Sequence, residues 1–347
     1  MVESERQPAS DRSILQNSKP RFPNPPQTLN SQPYTLNFFM DSLKLPDCMR
    51  LLPTETMSVM KRLEWYARRR MQGTLTGRHS SPDKGFSVEF AEHREYVPGD
   101  DPKDLDWRVI AKSDRNVIRQ YIEETNLRAT VAVDVSGSMK YTGDHAARVG
   151  ETPLSKLEYA KHLAAALAYL FVKQGDAAGL VTFDKDVRSF IRAGSRPSQV
   201  RRILEDLHAT EAGADTDVGG VLHGVAERIP KRGLVILISD LFDDPAKIIE
   251  ALHHFDFRQH ELVIFHLMAE EELTFPFKSF QRFRDLEGVE AMLRIDPQAV
   301  RAAYLEKIRD FVKRIDGACG KLRADYVAVN TKNPLRDTLL RYLGGRK

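Results

Sequence analysis

From residue 128 onward, short apolar runs rich in β-branched residues alternate with longer segments of helical spacing. Apolar positions that repeat every two residues favour strands, and those that repeat every three or four favour helices. This alternation is typical of a mostly parallel sheet covered by helices on both faces, which predicts a doubly wound α/β fold. The predicted strands are 129–134, 179–183, 234–239, 262–267 and 326–330, with 187–191 as an antiparallel edge strand. The predicted helices are 153–173, 197–207, 218–228, 245–255, 298–315 and 334–343.

The chain before residue 128 has a different pattern. Residues 1–50 are rich in Pro, Ser, Asn and Gln, and such a segment cannot bury enough apolar surface to offset its ordering entropy, so we expect a flexible arm. Residues 51–126 contain helical spacing at 57–70, strand-like alternation at Phe86, Val88 and Phe90, and a second strand pattern at 116–124. We predict that this smaller, strand-containing unit packs on a main domain at 127–347.

Composition excludes several classes of protein. Charged residues make up 29% of the chain, and the longest apolar run, 163–172, is about half the length that spans a bilayer. We therefore expect no membrane span. No apolar segment follows a basic start near residue 1, so we expect no secretory signal and a cytoplasmic location. Cys48 and Cys319 lie far apart, which predicts neither a disulfide framework nor a zinc ribbon.

Charge gives little support to nucleic-acid binding. The net charge is +3, and basic residues concentrate only between Lys61 and Arg78. A solvated helix face explains that cluster, since Trp65 and Tyr66 are the only aromatic residues there that could stack on bases. We therefore expect no nucleic-acid partner.

Oxygen-bearing side chains follow the predicted strands at the edge where doubly wound sheets bind their ligands. The first strand ends in Asp134, with Ser136 and Ser138 on the next turn, and the fourth is followed by Asp240. Thr216 lies in the loop before the 218–228 helix. Each piece alone also suits a turn or a helix cap. Together they offer the oxygen ligands that Mg²⁺ prefers.

This ordered set resembles the metal ion-dependent adhesion site of von Willebrand factor A domains, written D-x-S-x-S, then a distant T, then a distant D. All five positions match, at Asp134, Ser136, Ser138, Thr216 and Asp240. The resemblance implies that Mg²⁺ (or Mn²⁺) is held by the hydroxyls directly or nearly so, and by the carboxylates directly or through water. It further implies a protein-binding module, not an enzyme, that recruits an acidic side chain of a protein partner.

The upstream segment is similar to the domain-of-unknown-function-58 family. An R-x-Y-x-x-G-D-D pattern is followed by L-D-W, and the resemblance covers residues from about 60 to about 345. It implies a partnership with a MoxR-type AAA+ ATPase in protein assembly or remodelling. A purely structural interpretation also suits this segment, with a tight turn at 98–102 and Trp107 packed at the junction with the sheet. The matching residues are Gly77, His79, Ser80, Gly85, Glu89, Phe90, Arg94, Tyr96, Gly99, Asp100, Asp101, Asp106, Trp107 and Ala111.

The main alternative is a phosphoryl-transfer or hydrolytic enzyme with Asp134 as nucleophile at the same strand end. A haloacid dehalogenase pattern requires a second acid two residues later, where this chain has Ser136. The chain contains neither a GxxxxGK[ST] phosphate loop nor a G-x-S-x-G elbow.

Overall fold

The computed structural model describes residues 47–63, 65, 76–80, 89–97, 105–113, 116–122, 124–125, 127–213, 217–230, 232–277, 281–283, 293–295 and 297–344. At its centre is a sheet of six strands. These strands are β1 (Arg128–Asp134), β2 (Ala177–Phe183), β3 (Val187–Gly194), β4 (Leu234–Ser239), β5 (Glu261–Met268) and β6 (Asp325–Asn330).

The order of the strands across this sheet is β3-β2-β1-β4-β5-β6. Each neighbouring pair is parallel except β2 and β3, which are antiparallel. The order reverses between β1 and β4, whose register pairs Ile238 with Val133. The predicted fold class, a doubly wound and mostly parallel sheet with one antiparallel edge strand, is therefore confirmed.

Among the described residues, six longer helices accompany the sheet, and their ends follow local sequence signals. The side chain of Ser155 caps the first helix by accepting a hydrogen bond from the Glu158 N–H at 3.1 Å, and Gly175 ends it with a left-handed φ of 89°. Pro197 and Pro245 open two others at the position where a missing N–H costs nothing. The helices are α1 (Lys156–Gln174), α2 (Pro197–Ala209), α3 (Val218–Arg228), α4 (Pro245–Phe257), α5 (Pro297–Lys321) and α6 (Leu335–Gly344), with a short helix at Glu270–Thr274.

Two boundaries of these six helices differ from the prediction by three residues or more. The helix predicted from residue 153 begins at Lys156, because Thr152–Pro153 pairs with Arg148–Val149 as a short antiparallel hairpin. The helix predicted to end at residue 315 continues to Lys321, and Cys319 in its last turns is buried. A buried position beyond the last clear apolar repeat accounts for this extension.

The core lies on both faces of the sheet. Every residue of β4 and β5 is buried, as expected for central parallel strands. The apolar run 163–172 is wholly buried within α1, so it is a core helix. No helix in the described part of the chain is long and apolar enough to cross a membrane. Cys48 and Cys319 are free and buried.

The segment before β1 is only partly described. The helix predicted over 57–70 runs from Thr54 to Met60, and residues 66–75, which include half of the basic cluster, lie outside the described residues. Phe86 and Val88 also lie outside them. The other elements here are a 3₁₀ helix at Asp47–Leu51, a helix at Trp107–Ser113, and the antiparallel strand pairs Glu89–Glu95 with Val117–Ile122 and Thr76–Ser80 with Glu124–Thr125.

Two tryptophans in this segment differ sharply in exposure. Trp65 is completely buried, with ring centroids 5.1 Å from Phe171 of α1 and 5.5 Å from Tyr342 of α6. Lys173 of α1 donates from Nζ to the carbonyls of Met60 and Lys61. In contrast, 64% of Trp107 is exposed, so the expectation that it packs at a junction is wrong. The division into an arm, a smaller unit and a main domain stays a prediction.

The amino ends of β4 and β5 contain a buried histidine that makes stability depend on pH. Nδ1 of His260 accepts a hydrogen bond from the Gly233 N–H at 3.3 Å, and burial lowers the pKa of His260 to about 4. The unfolded chain, with a histidine pKa of about 6.5, binds this proton first, so stability falls as the pH drops from 6.5 towards 4. We expect wild type to lose about 2 kcal/mol more than His260→Asn between pH 7 and pH 5 in urea unfolding. Equal losses in the two proteins would contradict this assignment.

Candidate functional site

The predicted metal ligands gather where the strand order reverses. Asp134 ends β1, Ser136 and Ser138 follow on the next turn, and Asp240 directly follows β4. All four are buried. The position agrees with the rule that ligands of open α/β sheets bind at the carboxyl ends of the strands beside the reversal. Thr216, the fifth predicted ligand, lies outside the described residues.

Hydrogen bonds fix the carboxylate of Asp134 from two sides. Its Oδ1 accepts from the Ser136 N–H at 2.9 Å, and its Oδ2 accepts from the Ser239 hydroxyl at 2.6 Å. Burial raises the pKa of Asp134 above its usual range, and the negative charge of Asp240 raises it further, while the hydrogen bonds from Ser239 and Ser136 oppose the shift. The pocket therefore concentrates negative charge in a buried place, and a cation there would relieve that charge.

Ser239 is a part of the site that the five-residue pattern does not contain. Besides donating to Asp134, its Oγ accepts from the Leu241 N–H at 2.8 Å. Leu241 is buried with a left-handed φ of 51°, a conformation that non-glycine residues adopt at a cost. Ser239 thus ties the end of β1 to the turn after β4. The signal available in the sequence was a hydroxyl at the last position of the neighbouring strand.

A buried lysine is the second unpredicted feature. Lys156, at the start of α1, donates from Nζ to Asp240 Oδ2 at 3.0 Å and to Glu272 Oε1 at 2.5 Å. Burial alone would lower the pKa of Lys156, but the carboxylates of Asp240 and Glu272 outweigh this effect and raise the pKa above its ordinary value. The lysine is therefore charged and neutralises part of the site.

The backbone of Asp240 is held as well as its side chain. His266 of β5 lies 3.0 Å from the Asp240 carbonyl through Nε2 and 2.6 Å from the Tyr326 hydroxyl through Nδ1. Burial lowers the pKa of His266 to about 4. A neutral ring that donates from Nε2 and accepts at Nδ1 satisfies both contacts.

Gly213, in the loop before α3, lies against the same strand end. The Gly213 N–H donates to the Val135 carbonyl at 2.6 Å, and Lys140 Nζ donates to the Gly213 carbonyl at 3.0 Å. A side chain at position 213 would meet the Asp184 carboxylate, since a Cβ there would lie 2.1 Å from Oδ2. Glycine at this position therefore allows the loop to lie against the turn after β1.

The side chains suit a hard divalent cation in two respects. Ser136 Oγ and Ser138 Oγ are 3.0 Å apart, close to the spacing of about 3 Å between adjacent oxygens of an octahedral Mg²⁺ shell. Asp240 Oδ1 is buried and has no hydrogen-bond partner among the described residues. Among those residues, no group of three or more His, Cys, Asp or Glu side chains is placed to hold a metal, so a site here depends on hydroxyl oxygens as well as carboxylates.

Strand order and the antiparallel edge strand define a doubly wound, mostly parallel α/β domain. The family described as "Protein of unknown function DUF58" matches residues 92–313, and the chain belongs to that family. The uncharacterized protein Rv1480 of Mycobacterium tuberculosis is 24% identical over 298 residues, which cover 84% of this chain and 89% of the relative. An uncharacterized protein of Mycobacterium bovis matches to the same extent.

Two solved structures are among those that match this chain. The conserved hypothetical protein BatB from Bacteroides thetaiotaomicron is 18% identical with a TM-score of 0.41, and the match covers 64% of this chain and 98% of BatB. The SpRpn10 VWA domain is 13% identical with a TM-score of 0.37 and the same coverage of both chains.

Proposed function

We propose that this protein is a metal-dependent protein-binding module. In this proposal Asp134, Ser136, Ser138, Thr216 and Asp240 hold Mg²⁺ (or Mn²⁺), and an acidic side chain of a partner protein completes the coordination shell. The observation that carries the proposal is the meeting of Asp134, the serine pair and Asp240 at the strand reversal, with Asp240 Oδ1 left unpartnered among the described residues.

The charge of the proposed ligand set supports an acidic ligand. Only two of the five residues are carboxylates, so the set at most neutralises a divalent cation and leaves it able to attract a further negative group. The turn after β4 also presents an aromatic side chain beside the site, since 66% of Phe242 is exposed. Exposed aromatic residues are frequent anchors in protein interfaces. A partner segment with an acid next to an apolar residue fits this surface.

As part of the same proposal, the partner is a MoxR-type AAA+ ATPase, and the pair acts in protein assembly or remodelling in the cytoplasm. Support for this step comes from the resemblance of the upstream segment. The alternative of an enzyme with Asp134 as nucleophile gains no support from the geometry. The side chain of Asp134 is completely buried, whereas a nucleophile must contact its substrate.

Calorimetric titration with MgCl₂ and MnCl₂ tests the metal part of the proposal. We expect wild type to bind one ion, and Asp134→Ala combined with Ser136→Ala to lose affinity roughly hundredfold or more, because two ligands are removed. A matched control is Ser189→Ala with Asp206→Ala, which removes another hydrogen-bonded serine and acid pair on β3 and α2. A control that loses the ion equally, or wild type that binds none, would refute the metal site.

The partner part is tested by a pull-down of the MoxR-type ATPase from the same genome. The experiment is done without nucleotide, so that a chelator acts on the proposed site and not on ATP-bound Mg²⁺. We expect capture in Mg²⁺ and its loss in EDTA or with the Asp134→Ala, Ser136→Ala variant. Capture that EDTA leaves unchanged would contradict metal-bridged binding.

A further inference from the structure

Lys156 has an unusual environment for a lysine. Only 3% of its side chain is exposed, and it contacts Asp240, whose side chain is also 3% exposed, and Glu272, whose side chain is 30% exposed. Lysine is almost never fully buried unless it is paired. The pairing here is with a predicted metal ligand, so the ammonium lies at the edge of the proposed metal site.

The ammonium of Lys156 donates to only one of the two carboxylate oxygens of Asp240. Nζ lies 3.0 Å from Oδ2, whereas Oδ1 has no hydrogen-bond partner among the described residues. A cation bound to Oδ1 at about 2.1 Å would lie on the order of 5 Å from the ammonium. Two positive charges this close in a buried place repel each other strongly, and salt screens buried charges little.

The charges around the site balance differently with and without a divalent ion. Without one, Lys156 compensates Asp240, and Glu272 holds the ammonium from the other side. Glu272 is itself fixed, because its Oε2 accepts from the Ala269 N–H at 2.7 Å. With a divalent ion bound, the ion neutralises the two carboxylates of the ligand set, so Glu272 alone remains to compensate the ammonium of Lys156.

We propose that Lys156 is a resident counter-cation of the metal site, which keeps Asp240 in place in the metal-free protein and weakens the binding of Mg²⁺. The inference rests on the proposed metal-dependent function and adds a residue that sets how readily the site fills. Glu272 has the opposite effect, because its negative charge compensates Lys156 when the divalent ion is bound.

Calorimetric titration of Lys156→Met with MgCl₂ at pH 7.5 tests this role. Methionine keeps most of the side-chain volume and removes the charge. We expect Mg²⁺ to bind at least tenfold more tightly than to wild type. The matched control is Lys161→Met on the same helix, whose side chain is 7% exposed and is paired with Glu158 away from the site, and we expect it to leave Mg²⁺ affinity unchanged.

A second variant, Glu272→Gln, tests the same idea with the opposite sign and does not depend on the folding of Lys156→Met. We expect it to weaken Mg²⁺ binding severalfold. Unchanged or weaker affinity in Lys156→Met would overturn the counter-cation role, as would unchanged or tighter affinity in Glu272→Gln. If wild type binds Mg²⁺ and these variants do not change the Mg²⁺ affinity as stated, only this inference fails. If wild type binds no Mg²⁺, the proposed metal function fails and this inference fails with it.

Discussion

Replacing Trp65 with Ala should lower the free energy of unfolding by about 3–5 kcal/mol. The indole is completely buried between the rings of Phe171 and Tyr342, so its loss leaves a large cavity beside α1 and α6. The backbone N–H of Trp65 also donates to the Gln174 side chain at 3.0 Å. This contact holds the chain in place, and it survives the substitution because it does not involve the indole. Urea unfolding followed by circular dichroism measures the effect without relying on tryptophan fluorescence.

The only other tryptophan of the sequence provides the control. Since 64% of Trp107 is exposed, Trp107→Ala should change stability by less than about 0.5 kcal/mol. A loss below about 1 kcal/mol for Trp65→Ala, or equal losses for the two variants, would show that the segment at 47–65 is not part of the core that surrounds α1.

The substitution Asp240→Ala should cost roughly 3 kcal/mol in the absence of metal. It removes one partner of a buried ion pair and leaves the charge of Lys156 with Glu272 alone. Combining it with Lys156→Met removes the buried charge, so we expect the double variant to regain much of the lost stability. Chemical denaturation in EDTA of wild type, both single variants and the double variant gives the coupling energy of the pair.

If the stability losses of the two single variants add up to that of the double variant, the ion pair is contradicted. The coupling should exceed about 1 kcal/mol, because both side chains are almost completely buried. The Lys161→Met variant, combined with Asp240→Ala, should show additivity, since Lys161 pairs with Glu158.

The sheet was predictable because central parallel strands are buried on both faces. β4 consists of apolar residues followed by Ser239, and both of its ends match the prediction. The segment before β1 was harder, because tertiary contacts decide its structure. The helix that apolar spacing extends to residue 70 ends at Met60, where Lys173 binds the carbonyls of Met60 and Lys61. Composition and hydrophobic pattern also gave no indication that Trp107 is exposed.

The candidate site also has a part that the sequence predicted and a part that it did not. Asp134, Ser136, Ser138 and Asp240 could be placed together because the carboxyl ends of neighbouring parallel strands meet at one edge. Whether they hold a metal stays a prediction. Lys156 could not be found, because a lysine in the first turn of a helix is normally exposed and only the fold brings it to Asp240.

The hydrogen bond between Ser239 and Asp134 joins residues 105 positions apart in the chain. At a ribosomal rate of about 5–20 residues per second, roughly 5–20 seconds separate the synthesis of the two strand ends. A nascent chain therefore carries the D-x-S-x-S turn long before it can assemble the complete pocket, and closing so long a loop delays it further. Binding competence would thus be acquired late, after the nascent sheet has gained its fourth strand.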